Sequence, residues 1–356
     1  MVPAGRDNRC GPSGGAVPDG RRPAGPSEPA GDFRPLSGRP GPRRRCWEHE
    51  AGRTAARTIR TPGGPPMCDS VVAGVDGSAE SAAAARWAAA DALRRGVALR
   101  LVTVVSPSGS AFGHREPAGH RLPEFATTLR AELVHALPGL DVSCEAIPGE
   151  PWSVLAAAGE KQWLLVLGSR GSGRLAGRLL GSVALRTAAE ARCPVVLVPE
   201  GAADPDGSGE VVVGASGERP SGAVLGFAFE EAARRGAVLR ALEGGAEPHG
   251  PLRTDAPIGP AEVRRSLVEA RTVRLQDALA PWQEKFPEVR TVAEVTGWGA
   301  SRALLEASRG AALVVLGRRA PAHPLAAPHL GHLAHAVVHH AHGPVAVVPH
   351  DAAQGR

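Results

Sequence analysis

The sequence lacks several features that mark common classes of protein. No stretch approaches the roughly 18 consecutive apolar residues that a membrane-spanning helix needs, and no apolar segment typical of a secretion signal stands at the N-terminus. The five cysteines, at positions 10, 46, 68, 144 and 193, show neither C-x-x-C spacing nor a pairing pattern. We therefore expect a cytoplasmic, reduced protein without structural zinc.

Motifs of several enzyme classes are also missing. Beyond the first 66 residues there is no G-x-S-x-G nucleophile elbow, and neither the H-E-x-x-H metalloprotease motif nor the G-K-[ST] of P-loop proteins occurs. His114 and His120 are isolated in a variable stretch, where histidines usually face solvent. Because no set of acid, base and nucleophile is visible, we predict that the protein is not an enzyme.

Composition separates residues 1–66 from the rest of the chain. This leader holds 12 Arg against 6 acidic residues, with 12 Pro and 12 Gly, whereas the other 290 residues carry 29 basic and 30 acidic side chains. The leader cannot bury enough apolar surface to offset the entropy lost on ordering, so we expect it to be disordered. The nearly neutral body gives no reason to expect binding to nucleic acid.

The leader also raises the question of the start site. Met67 stands three residues before the first strand-like segment. We interpret Met67 as the natural start and the leader as an artefact of translating GC-rich DNA upstream. The alternative is a functional tail that contacts nucleic acid through Arg43, Arg44 and Arg45.

From residue 68 onward, strand-like and helix-like segments alternate. SVVAGVDGS and VALRLVTVVSP are typical of buried strands, and the alanine-rich stretch between them is typical of a helix that ends at Gly96. Strands separated by helices need crossover connections, which predicts an α/β fold with a parallel sheet and helices on both faces.

The pattern occurs twice. VVVGASGE, from residue 211, parallels VVAGVDGS, from residue 71, and LVVLG parallels LLVLG in the same order. The period is too long for a solenoid repeat. It predicts two tandem α/β domains, at 68–200 and 210–350, joined by a polar linker at 201–209.

A glycine-rich loop, GSRGSGRLAGRLLGSVA, begins at Gly168 in the first domain. Loops at the carboxyl ends of parallel strands are where open α/β sheets bind ligands. Glycines let N–H groups point into one concavity, and the helix that begins at Gly181-Ser182 adds a positive dipole end, which together predict an anion site. We expect Ser182 to be the N-cap and a hydroxyl donor to phosphate. Three loop arginines either add charge or are solvated: Arg170, Arg174 and Arg178.

The spacing Gly168-x-x-Gly171, nine residues, Gly181-Ser182 resembles the ATP-binding signature of the universal stress protein family, in the tandem type found in actinobacteria. The resemblance covers most of 68–200, and a degenerate version covers 210–350. It implies two tandem Rossmann-like (adenine nucleotide alpha hydrolase-like) domains, each an open five-stranded parallel sheet. The implied function is an ATP-binding stress-response regulator, with or without Mg²⁺, in which slow ATP hydrolysis or autophosphorylation stays open.

Carried onto this sequence, the resemblance places the nucleotide in the first domain. Asp76 matches the acid that lies beside adenine and ribose in the family. A carboxylate can accept hydrogen bonds from the ribose hydroxyls or the base amine. The alternative is that Asp76 only forms an Asx-turn. Val104 matches the position whose backbone meets adenine. Ala184 replaces a hydroxyl residue common in the family, so we expect a weaker hold on phosphate, with AMP or ADP as competing ligands. The predicted nucleotide-binding residues are Gly74, Asp76, Val104, Leu167, Gly168, Arg170, Gly171, Gly181, Ser182 and Val183.

The second domain departs from this signature. Gly317 is retained, but RRA follows it, the loop gains one residue and three prolines, and Gly331 is followed by His332. Ser216 stands in place of Asp76. Because prolines remove N–H donors and an extra residue changes the register, we predict that this domain does not bind ATP and has a structural or regulatory role.

The last strands of the two domains, PVVLVP and PVAVVP, are expected at sheet edges, where unpaired backbone groups attract another strand. The family commonly dimerises through this strand, so we expect the two domains to pair within one chain. A further homodimer stays open, and no membrane partner is expected.

Two other functions would use the same fold differently. A dimerising scaffold without a ligand would use the glycines only as loop residues. An ATP-dependent ligase of the same fold is disfavoured, because VDGSAES stands where such enzymes carry S-G-G-x-D-S.

A histidine-rich segment lies near the end of the second domain. His332, His335 and His339 fall on one helix face, a spacing compatible with a metal. Since no carboxylate or cysteine is near in sequence, we expect an ordinary half-exposed helix and no metal site.

Overall fold

The computed structural model describes residues 70–105, 122–169, 181–202, 209–245, 260–320 and 329–351. We refer to 70–202 as the first half and 209–351 as the second half; both belong to one compact unit. The leader, whose disorder the sequence predicts, lies outside the described residues. None of the helices in the described segments is long and apolar enough to cross a bilayer.

Strands and helices alternate in both halves. The first half contains β1 (Ser70–Gly74), α1 (Ala79–Arg95), β2 (Ala98–Val105), α2 (Glu124–Ala136), β3 (Val142–Pro148), α3 (Pro151–Gly159), β4 (Leu164–Gly168), α4 (Ser182–Glu190) and β5 (Val195–Val198). The second half contains β6 (Glu210–Gly214), α5 (Gly222–Arg235), β7 (Leu239–Gly244), α6 (Pro260–Lys285), β8 (Thr291–Thr296), α7 (Ala300–Ala307), β9 (Ala311–Arg319), α8 (His332–His340) and β10 (Val345–His350).

The first helix shows how local sequence sets these boundaries. Ser78 caps the N-terminus of α1, since its side chain accepts a hydrogen bond from the N–H of Ser81 at 3.1 Å. Gly96 ends the helix in the left-handed conformation, with φ +67°. In the second half, Gly236 ends α5 in the same way, with φ +59°. The stop at Gly96 that the sequence predicts is therefore confirmed.

All the strands form one sheet in the order β3-β2-β1-β4-β5-β10-β9-β6-β7-β8. Pairing is parallel within each half. At the centre, β5 and β10 pair antiparallel, with Val195 opposite Val347 and Leu197 opposite Val345. The prediction that the last strands lie at the edges of two five-stranded sheets and pair within the chain is confirmed, and the result is a continuous ten-stranded sheet.

Helices cover both faces of the sheet. One apolar cluster joins α1, α2, α5 and α6 to the sheet, through side chains such as Leu129 and Phe229. A second joins α3, α4, α7 and α8 to the opposite face, through side chains such as Leu155 and Leu304. Each cluster contains residues of both halves, so the two halves share their cores.

The ends of α1 and α5 meet in a buried ion-pair cluster, which we call the charge quartet: Asp91, Arg95, Glu231 and Arg235. Their side chains are no more than 3% exposed. The guanidinium of Arg95 donates to Asp91 at 2.6 Å and also to Glu231, while Arg235 donates to Asp91 at 2.9 Å and also to Glu231. Burial by itself raises the pKa of Asp91, but the charges of Arg95 and Arg235 outweigh burial and hold it below its usual range. The quartet therefore connects the two halves through paired charges.

Candidate functional site

The predicted nucleotide-binding residues of the first half lie at the carboxyl ends of three neighbouring strands. Gly74 at the end of β1 pairs in register with Val102 of β2. Ala73 pairs with Val166 of β4. Asp76, Val104 and Gly168 therefore share one end of the sheet, which is where open α/β sheets bind ligands.

Gly74 has a packing role that is independent of any ligand. A Cβ atom at this position would lie 2.6 Å from Cδ2 of Leu167 and 2.9 Å from Cδ2 of Leu155. Gly214 of the second half has the same relation, since a Cβ there would lie 2.9 Å from Cδ2 of Leu316. Because both halves need the glycine for close packing, Gly74 alone does not indicate a nucleotide site.

Asp76 forms the Asx-turn that the sequence offered as the alternative. Its Oδ1 accepts hydrogen bonds from the N–H of Ser78 at 3.0 Å and from the Ser78 hydroxyl at 2.6 Å. Gly77, between them, has φ +85°. A carboxylate offers about four acceptor positions, more than this turn uses. The turn and a ligand contact at the exposed Asp76 carboxylate are therefore compatible.

The loop between β4 and α4 is joined at its base by two backbone hydrogen bonds. The N–H of Ser169 donates to Val198 at 2.9 Å, and the N–H of Gly181 donates to Ser169 at 2.8 Å. The residues between, including Arg170 and Gly171, lie outside the described residues. Ser169 was not among the predicted site residues, although it is the serine of the GSRG motif.

The start of α4 corrects one expectation. Gly181, with φ −63° and ψ 139°, is the N-cap, and no side chain caps this end. The carbonyl of Gly181 accepts the first helical hydrogen bond, from Leu185 at 3.0 Å. Ser182 is therefore the first helical residue rather than the N-cap, and its side chain is exposed.

The N-terminus of α4 is suited to an anion. The first N–H groups of an α-helix have no partner inside the helix, and the helix dipole places partial positive charge there. Since the N–H of Gly181 is bonded to Ser169, the N–H groups of Ser182 and Val183 are the better candidates for binding phosphate. Ala184 is 5% exposed and lies in the apolar cluster beneath the helix.

In the second half, a longer strand replaces the start of the glycine loop. Gly168 pairs with Val198 at the end of β4, and Gly317 pairs with Val348 at the corresponding place. There the pairing of β9 with β10 continues through Arg319, and the N–H of Ala320 donates to the carbonyl of His350 at 2.8 Å. The chain is therefore strand where the first half leaves the sheet.

Two glycines at the strand ends of the second half lie close to other parts of the chain. A Cβ on Gly317 would lie 2.9 Å from Nε2 of His350. Gly244 corresponds to Val104, because the N–H groups of Val75 and Ala215 donate to equivalent positions of the neighbouring strands β2 and β7, Val102 and Leu242. A Cβ on Gly244 would lie 2.3 Å from the backbone nitrogen of Ala300 at the start of α7. Backbone and an imidazole ring thus lie close to these two glycines of the second half, although Gly317 itself is exposed.

The histidine face of α8 brings two imidazole rings together. The ring centroids of His335 and His339 are 4.4 Å apart. Burial, followed by the charges of His335 and His340, lowers the pKa of His339. Among the described residues, no group of three or more His, Cys, Asp or Glu side chains is arranged to hold a metal ion.

A cleft of about 380 Å³ lies between α1 and α2, beside the Asp76 turn. Gly77, Ser78, Arg86, Phe125 and Glu132 are among its lining residues. None of the predicted nucleotide-binding residues lines it, so it is separate from the site at the ends of β1 and β4.

Comparisons with known proteins agree with the repeated architecture. The family model described as "Universal stress protein family" matches residues 67–199 and 208–349. The chain is 34% identical over 311 residues to universal stress protein Rv1996 of Mycobacterium tuberculosis, covering 80% of this chain and 96% of that protein. It is also 34% identical over 289 residues to universal stress protein Rv2005c of the same organism, covering 78% of this chain and 96% of that protein.

Solved structures show the same fold. A universal stress protein from Archaeoglobus fulgidus is similar with a TM-score of 0.52 at 14% identity, covering 79% of this chain and 98% of that one. A protein of unknown function from Pseudomonas aeruginosa, PA1789, is similar with a TM-score of 0.51 at 15% identity, covering 80% of this chain and 93% of that one. With two matches to the family model and relatives that align over most of the chain, this protein belongs to the universal stress protein family.

Proposed function

We propose that the chain binds one adenine nucleotide, ATP in the first instance, in its first half and acts as a nucleotide-dependent regulator in the stress response. The second half has a structural or regulatory role. The proposal takes 68–200 and 210–350 as the two domains, with 201–209 as the linker, and places the protein in the cytoplasm, where ATP is available.

The difference between the halves at the end of β4 and β9 carries this proposal. In the first half the chain leaves the sheet after Gly168 and returns at Gly181 to start a helix. In the second half β9 continues to Arg319, and the imidazole of His350 lies next to Gly317. Both halves begin a helix at a glycine without a side-chain cap, Gly181 and Gly331, but the strand pairing ends at Gly168 in the first half and continues past Gly317 in the second.

Each predicted residue has a chemical role in this proposal. The first-turn N–H groups of α4, at Ser182 and Val183, donate to phosphate oxygens. Asp76 accepts hydrogen bonds from the ribose hydroxyls or the base amine. The backbone at Val104 meets adenine, and Leu167 and Gly168 form the wall beneath it. Arg170 and Gly171, outside the described residues, complete the loop, and Mg²⁺ accompanies ATP where the phosphates need neutralisation.

Calorimetric titration of ATP into the full chain tests the proposal. The wild-type chain is expected to bind one ATP. Asp76→Ala should weaken binding about tenfold or more, because hydrogen bonds to charged groups contribute about 1.5 to 3 kcal/mol each. Gly181→Val should abolish binding; φ at Gly181 is −63°, so the substitution adds bulk without backbone strain. The matched controls are Ser216→Ala and Gly331→Val, the equivalent changes in the second half.

The possible outcomes separate the competing functions. Two sites per chain, or loss of binding in a second-half control, would show that the second half binds nucleotide. No binding by a folded wild-type chain would favour the ligand-free scaffold, and pyrophosphate release with a carboxylate or amine substrate would favour the ligase. Titration of ADP and AMP measures how much the terminal phosphates contribute.

A further inference from the structure

Arg318 stands where the first half has Ser169. The two positions correspond because each follows the glycine that pairs with the last strand of its half, Gly168 with Val198 and Gly317 with Val348. In the first half, the backbone of Ser169 joins the two ends of the glycine loop. In the second half, the loop start has become strand, and an arginine occupies the position.

The Arg318 side chain crosses from the second half to the first. Arg318 is only 5% exposed, and Nη2 of its guanidinium donates a hydrogen bond to the carbonyl oxygen of Ala191. Ala191 is the C-cap of α4, and its own N–H donates to Thr187 at 2.8 Å. The last carbonyls of a helix lack partners inside the helix and carry partial negative charge. Arg318 therefore binds α4 at the end where a cation is favourable.

A second observation places the guanidinium at this end of α4. Cys193, two residues beyond the C-cap, is 2% exposed. Burial raises the pKa of the Cys193 thiol to about 12, and the positive charge of Arg318 opposes this rise. Arg318 thus lies near the turn that leads from α4 into β5.

The opposite end of α4 is the candidate phosphate site. The helix has nine residues and is about 13 Å long at 1.5 Å per residue. Its fully buried side chains are all small, namely Ala184, Thr187, Ala188 and Ala189, while Val183 and Leu185 pack against the same apolar cluster and are partly buried. Small side chains bury little apolar surface, so they fix the position of the helix weakly. A charged contact at one end therefore adds to the apolar contacts that set where the other end lies.

We propose that Arg318 is a positioning residue by which the second half sets the position of α4 and thereby the affinity of the first half for the nucleotide phosphates. This inference rests on the proposed function. It assigns the second half a direct effect on a site to which it contributes no predicted ligand contact.

The test compares ATP with adenosine, which lacks the phosphates. Arg318→Ser introduces the residue that the first half has at this position. It should weaken ATP binding about five- to tenfold, because α4 loses the cation at its C-terminal end that helps to hold its position. Adenosine affinity should stay within about twofold. Arg318→Lys, which keeps the charge, should recover part of the ATP affinity, and Arg319→Ser, at the exposed neighbour, should change neither ligand.

Hydrogen exchange provides a readout that needs no nucleotide. In Arg318→Ser, amides of α4 should exchange faster, while those of α3, which packs against α4, should be unchanged. Unchanged ATP affinity in Arg318→Ser, or an equal loss for ATP and adenosine, would overturn the inference and leave the proposed function standing. Absence of ATP binding by the wild-type chain would overturn both, so the two failures are distinguishable.

Discussion

Glu231→Gln should lower the free energy of unfolding by about 3 kcal/mol, the lower end of the range for removing one partner from a buried ion pair. The Glu231 side chain is fully buried and accepts hydrogen bonds from Arg95, Arg235 and Arg234. Glutamine keeps the shape and one acceptor oxygen but removes the charge. Arg95 and Arg235 would then share the single carboxylate of Asp91, which leaves excess positive charge in a buried place.

The assay is urea unfolding of the full chain, followed by tryptophan fluorescence. Trp163 and Trp87 report on the quartet directly, because Arg95 lies 5.8 Å from the ring centroid of Trp163 and Arg235 lies 5.4 Å from that of Trp87. A lower midpoint with an unchanged slope would indicate a change in stability alone.

The matched control is Glu132→Gln. Glu132 pairs with Arg86 at 3.3 Å, but both side chains are more than half exposed, at 53% and 52%. Exposed pairs contribute about 0 to 1 kcal/mol, so the control should change stability by less than about 1 kcal/mol. Equal effects of the two substitutions would refute the conclusion that burial makes the quartet important for the stability of the chain.

Three further predictions concern other described residues. The pKa of Asp91 is lower in the folded chain than in the unfolded one. The Asp91 carboxylate therefore contributes fully to the free energy of unfolding above about pH 4, and this contribution decreases as pH falls towards the folded pKa. In Asp91→Asn, the free energy of unfolding measured in urea should accordingly fall less steeply as the pH is lowered. Gly96→Ala and Gly236→Ala should each cost about 1 kcal/mol in urea unfolding, because both glycines are left-handed and a Cβ there would meet no atom within 4 Å; a much larger loss at only one would contradict this equivalence. Iodoacetamide at pH 8 should modify the half-buried Cys144 before the buried Cys193, whose pKa is raised to about 12, and peptide mass spectrometry would show equal rates if burial did not protect Cys193.

Much of the fold could be predicted from local sequence. Buried strands and the alanine-rich helix have patterns that depend on a few adjacent residues, and Gly96 ends α1 for a local conformational reason. The pairing of β5 with β10 was predicted from the unpaired backbone groups expected at the two edges, together with the family resemblance. These features are determined within a short stretch or by a simple rule of exposure.

Features that depend on two distant segments were not predicted. The extension of β9 past Gly317 depends on the partner strand β10, so RRA was interpreted as loop. The charge quartet was missed although its signal is present: an acid four residues before an arginine at the end of both α1 and α5, in Asp91 with Arg95 and in Glu231 with Arg235. Each pair is an ordinary helical one, and only the fold shows that the two pairs meet.

The two halves repeat the same fold but differ at the candidate nucleotide site, and both facts have one physical basis. The apolar β5 edge of the first half is covered by β10, and its charges at Asp91 and Arg95 are neutralised by the second half. These contacts do not require a nucleotide site in the second half. Once β9 continues as strand, the position equivalent to Ser169 no longer has to start a loop, and Arg318 uses it to reach Ala191. The continuation of β9 therefore provides the side chain that contacts the helix of the first half. This is why we expect the two halves to act as one unit in the proposed nucleotide binding.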